Sequence, residues 1–99
     1  KGMFPGSIPS GYSISDFDIQ LLIEGEFICD AIAFDFCYIH NKFTATFSRY
    51  DVVNNSFIIG LAGNEVDVIA QGTYTLVNSQ NQTIEQSFTK YGTASIVAR

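Results

Sequence analysis

The sequence predicts an all-β fold, an antiparallel sandwich or small barrel of about seven short strands behind an extended N-terminal arm. Three observations carry that reading. Apolar and polar residues alternate over most of the chain, the period of a half-buried strand. Clusters of turn-forming residues interrupt the alternation at a spacing of about 8 to 12 residues, as in sandwiches and barrels. Aromatic residues make up 14% of the chain, nine Phe and five Tyr with no Trp, and most of the Phe falls on the alternating positions. At 99 residues the chain holds one domain and one core, divided here into an arm, 1–15, and a β domain, 16–99.

The arm, "KGMFPGSIPSGYSIS", carries both prolines and three of the eight glycines. Proline fixes φ and lacks a donor, so this segment is expected to run extended outside the sheet. Phe4, Ile8 and Tyr12 recur along it and need a surface, either this domain's own edge or another copy, which makes them the candidate assembly contacts. Met3 behind Lys1-Gly2 reads as a native start behind two residues of expression scar.

From Asp16 the alternation sets Phe17, Ile19, Leu21 and Ile23 on one face against Asp18, Gln20, Leu22 and Glu24 on the other. "EGE" turns the chain at Gly25, and a short strand follows through Phe27 and Ile28. "AIAFDFCYI" then puts Ile32, Phe34, Phe36 and Tyr38 on one side, the most aromatic and so the most central strand. After the turn "HNK", "KFTATFSRY" sends Phe43, Ala45 and Phe47 inward with threonines on the solvated pleat. "DVVNN" breaks that strand and "SFIIGL" starts another, presenting Phe57, Ile59 and Leu61. "TYTLV", the loop "NSQNQ", "TIEQSF" and a last strand "TASIVA" behind "KYG" complete the set.

The stretch "EVDVIAQGTYTLVN", Glu65 to Asn78, is the most informative. Its first half is spaced like one helical turn and its second half like a strand, with Gly72 at the junction. Immunoglobulin-like sandwiches have such a corner, where the chain changes sheets before a strand that opens on an inward Tyr bonded back to the corner backbone. Gly72 and Tyr74 are the candidate corner residues. Leu76 stands where antibody domains carry a Cys, and Trp is absent, so kinship of the antibody type is not supported.

Strands like "AIAFDFCYI" and "SFIIGL", the corner with Gly-x-Tyr, and the closing "GTASIV" make residues 16–98 similar to the immunoglobulin-like N-terminal domain of upper baseplate proteins in siphophages. That resemblance implies a non-enzymatic structural module, a tail or baseplate adaptor of a phage or prophage. Its setting would be the virion, or the bacterial cytoplasm before assembly. Its partners would be proteins, further copies of the chain included. The alternative is a bacterial cell-surface or secreted domain that binds a glycan or a peptide, with Tyr12, Tyr50 and Tyr91 as its outward aromatics.

Charge and chemistry narrow the classes further. Ten acidic residues against five basic ones give a net charge of -5, which repels nucleic acid and anionic lipid. Apolar runs are a few residues long, far below the ~18 of a membrane-spanning helix. His40 is the only histidine, and odd spacing sends it and Cys37 to opposite faces of a strand end. Cys29 and Cys37 read as small buried or half-buried hydrophobes. Asp16 and Asp18 read as the solvated face of a strand, and Asp51, Asn54, Asn55, Asn64, Glu65 and Asp67 as the residues a weak calcium site would draw on. No pattern calls for a catalytic residue, cofactor or bound metal. Asn54-Asn55-Ser56 and Asn81-Gln82-Thr83 match the glycosylation pattern in positions that loop chemistry already explains.

Overall fold

Most of the alternating segments are strands. The computed structural model describes residues 2–97. Within them β1 (Gly2–Pro5), β2 (Ser13–Ile23), β3 (Glu26–Cys37), β4 (Lys42–Phe47), β5 (Glu65–Val77) and β6 (Thr83–Ser95) form one antiparallel sheet in the order β1-β4-β3-β2-β5-β6. Two short helices, α1 (Arg49–Val53) and α2 (Ser56–Ile59), occupy the connection from β4 to β5. The sheet curls until its edges face each other. Phe4 of β1 meets the Phe88 ring of β6 edge-on at 5.5 Å, although no ladder joins the two strands. The fold is thus all-β and antiparallel, with six strands in a nearly closed sheet where about seven in two sheets were expected.

The difference in strand count has local causes. The short strand at Phe27 and Ile28 and the aromatic strand after it are one strand, β3, because two irregularities absorb the mismatch without breaking it. One lies opposite Leu21/Leu22; the other, between Ala31 and Ala33, turns Ile32 outward to 64% exposure. Tyr38 lies just past the end of β3 and is also exposed, so of the four residues assigned to the inner side only Phe34 and Phe36 point there. Likewise "TIEQSF" and the last expected strand are one strand, β6, with Gly92 passing through it unbroken.

"SFIIGL" is the opposite case, a predicted strand that is helix and turn. Phe57 and Ile59 satisfy a period of two but are both exposed; Ile58 is the residue that buries, with Leu61 three positions on packed beside it. The start signals are in the sequence. The Ser48 hydroxyl accepts from the Asp51 N–H at 3.3 Å, and the Asn55 carboxamide oxygen from the Ile58 N–H at 3.1 Å, so each helix has its N-cap.

Turn chemistry sets the hairpins. Glu24 and Gly25 both take positive φ, as a two-residue primed turn requires, and Asn41 does so in the turn before β4. In the β5–β6 loop the Asn78 side chain accepts from the N–H groups of Gln80 and Gln82 and donates to the Gln82 side chain. The strands so joined enclose two apolar clusters along a molecule 49 Å long and about 20 Å across. One cluster is built on Ile19, Phe34, Phe43, Tyr74, Leu76 and Phe88; Phe34 stacks on Phe43 at 5.4 Å and meets Phe88 edge-on at 5.1 Å. The other gathers Leu21, Ile23, Ile28, Cys29 and Val66 under Ile58 of α2. No polar side chain is buried among the described residues.

The expected corner at Glu65 to Gly72 is absent, because β5 pairs with β6 along its whole length and with β2 from Val68 onward. The helix-like spacing there arises from two faces of a strand, Val66 and Val68 turned inward and Ile69 outward. Gly72 has a different task from the one expected. A Cβ at this position would lie 1.8 Å from the Asp18 carbonyl oxygen, so glycine lets β2 and β5 approach at a φ of +155°.

Tyr74 does point inward, packed against Phe34 and Phe43 at 5.3 Å from each. Its hydroxyl has no hydrogen-bond partner among the described residues, so the expected bond to the corner backbone is not made. Burial pushes its pKa up from 10.0. Tyr74→Phe is therefore expected to leave stability at pH 7 within about 0.5 kcal/mol. It should also remove an alkaline loss: with the folded pKa above the unfolded one, stability is complete below pH 10.0 and falls as pH rises through the folded value. Thermal melts of both proteins at neutral and alkaline pH measure the two effects.

Candidate functional site

Phe4, Ile8 and Tyr12 are half-buried against this chain's own aromatic cluster. Backbone pairing lays the arm there, from Gly2↔Ala45 to Pro5↔Lys42, followed by the Gly6 N–H donating to the Asn41 carbonyl at 3.0 Å. The Tyr38 hydroxyl donates to the Tyr12 carbonyl, and the Asn78 amide donates to the Tyr12 hydroxyl. The arm, expected outside the sheet, thus supplies an edge strand, and the boundary at residue 16 falls inside β2.

The residues considered for chemistry are dispersed. Cys29 is buried and Cys37 half-buried, both as free thiols. Burial, reinforced by the Asp51 and Asp30 carboxylates, pushes the Cys29 pKa up and holds it as the thiol. His40 is exposed in its turn. Asp16 and Asp18 lie exposed on β2. The loop amides are spent on the backbone: Asn55 caps α2, Asn54 donates to the Tyr50 carbonyl and Asn64 to that of Leu61. Glu24 accepts from the Asp67 N–H. Among the described residues no three His, Cys, Asp or Glu side chains converge as a metal site would require. Tyr12, Tyr50 and Tyr91 stand on the arm, α1 and β6, and Tyr12 is half-buried.

Two other features have the geometry of binding sites. The first is on the outer surface, where the register aligns Phe27 of β3, Leu22 of β2, Ile69 of β5 and Tyr91 of β6 in one row across four strands. Phe27 is 53% and Tyr91 78% exposed, with Leu22 and Ile69 half-buried between them. At the usual spacing between strands the row is about 14 Å long. Asp30, Gln20, Gln71 and Thr89 border it on one side, and Glu24, Asp67 and Thr93 on the other. Among the described residues acids flank the row and no base does. Each of its members looks in the sequence like a single apolar residue on a polar face; only the pairing register brings them together.

The second feature lies inside, at the end of the seam between β1 and β6 nearest α1. There a cleft of about 520 Å³ opens between the inner faces of the strands and the helix. Its sheet walls are apolar, and Arg49 stands among its lining residues. No family model, curated protein or solved structure matches this chain.

Proposed function

We propose that the protein is a non-catalytic assembly module that docks a protein partner through the outer row Phe27–Leu22–Ile69–Tyr91. The observation that supports this reading is the row itself: four aligned apolar side chains, aromatic at both ends, with acids on its borders. Large exposed aromatics in a polar rim are typical anchors of protein contacts. The acidic border, on a chain of net charge -5, favours a partner whose apolar stripe is edged by Lys or Arg over another copy of this chain. The phage tail or baseplate setting rests on the strand resemblance alone.

Selection of displayed random peptides on the immobilised domain tests the docking surface. The expected sequences combine apolar and basic residues. Their affinity should fall about tenfold or more in a Phe27→Ser, Tyr91→Ser variant, in the range a lost interface anchor costs, and should weaken with salt. Selected peptides that bind the double variant equally well would overturn the proposal. An Arg49→Gln control separates peptides that enter the cleft from those on the row.

A further inference from the structure

The interior is filled unevenly. Phe34 packs against four other rings, but toward α1 the side chains of the inner face become small: Ala70 on β5, and Ala94 on β6 beyond Phe88, the half-buried Lys90 and Gly92. Side chains of that size leave room between the sheet walls, and the cleft of about 520 Å³ occupies it. Leu21 and Ile23 form one wall, Phe47 another, and Val52 of α1 the floor. This volume lies within the range of small-ligand pockets.

The lining determines what would fit. Apart from Arg49 every side chain of the lining is apolar, so no other side chain there can hydrogen-bond the body of a polar ligand. Arg49 is the single charged side chain of the lining. It is exposed and makes no ion pair or side-chain hydrogen bond among the described residues. Asp51, on the same helix, is outside the lining. A guanidinium without a partner among the described residues, at the edge of an apolar cleft on a chain of net charge -5, complements an anionic head attached to an apolar tail.

We infer that the cleft is a binding site for a linear amphiphile with a carboxylate head, a medium-chain fatty acid. The tail lies between the β1–β6 seam and the inner face of β2 and β5, and the carboxylate meets Arg49. This site is independent of the outer row, and either proposal stands if the other fails.

Isothermal titration with dodecanoate, and with dodecyltrimethylammonium as the cation of equal chain length, tests the assignment below the micelle concentration of each. Saturable one-to-one binding of dodecanoate is expected, with the cation at least tenfold weaker. Arg49→Gln should remove that preference while leaving the melt unchanged, since the side chain is exposed. Ala94→Phe, which fills the cleft from an exposed rim position, should abolish binding without loss of β spectrum. Equal binding of the two amphiphiles, uptake that does not saturate, or binding unchanged by Ala94→Phe would each overturn the proposal. So would a sedimentation mass of two chains that Ala94→Phe halves, which would assign the cleft to a second copy.

Discussion

Gly72→Ala is expected to destabilise the protein by about 3 kcal/mol or more, the upper part of the range for an overpacked interior site. The added methyl would lie 1.8 Å from the Asp18 carbonyl oxygen and 3.0 Å from the Ile19 Cα, and both are backbone. A flexible side chain could rotate away; two paired strands cannot. Relief requires β2 and β5 to separate where Ile19 pairs with Gly72, beside the fully buried Ile19 side chain. For a domain of this size the expected fall in melting temperature is on the order of 12 to 24 °C. Gly92→Ala provides the comparison: a Cβ there meets nothing within 4 Å, so that variant should melt within a few degrees of the parent. Thermal unfolding followed by circular dichroism measures both. A Gly72→Ala protein that melts with the parent would show that the two strands are not so closely apposed.

Deletion of residues 1–12 is expected to abolish cooperative unfolding. The arm lies directly on the aromatic cluster: a Cβ on Gly6 would fall 2.4 Å from the Phe43 ring, and the Phe4 ring closes against Phe88. Phe43 and Phe88 are each 4% exposed. Without the arm both face water, and β4 loses its only ladder partner apart from β3. Each aromatic side chain returned to solvent costs roughly 1.5 to 3 kcal/mol. Two of them, with Phe4, Ile8 and Tyr12 removed as well, account for much of the 5 to 15 kcal/mol by which domains of this kind are stable. The expected product keeps a β spectrum in the far ultraviolet, binds a hydrophobic dye and melts without a sharp transition. A cooperative melt close to that of the intact chain, with a lower sedimentation mass, would instead restore Phe4, Ile8 and Tyr12 as contacts between subunits.

Where a strand has one buried face, its period was readable directly. Phe17, Ile19, Leu21 and Ile23, then Phe43, Ala45 and Phe47, then Tyr74 and Leu76 point inward as the alternation predicts, and the turns at Gly25, His40-Asn41 and Asn78–Gln82 fall where their residues place them. The period failed at bulges and over short runs. Ile32 keeps the alternation on paper, but the extra residue in β3 turns it outward, and an irregularity in pairing leaves no mark on one strand read alone. In "SFIIGL" six residues fit strand and helix equally, and the capping residues Ser48 and Asn55 were the signal that separates them. Neither binding feature was visible in the sequence. The outer row exists only through the registers of three strand pairs, and the cleft only through the smallness of Ala70 and Ala94 on walls that other segments complete.

The strand order β1-β4-β3-β2-β5-β6 implies an order of events when the chain folds. β2, β3 and β4 follow one another in sequence and pair as neighbours, so they can form a meander from local contacts alone; β5 and β6 likewise form a hairpin. Joining the two units requires β5 to find β2, a pairing of Ile23 with Val68 at its nearest point that spans both helices. Closing that loop carries the largest entropy cost in the topology and places it late in the climb to the transition state. β1 completes its contacts last, since its ladder partner β4 and the ring of Phe88 belong to different units. Full burial of the Phe4 ring therefore waits on the joining of the two units, although its strand can pair with β4 before then.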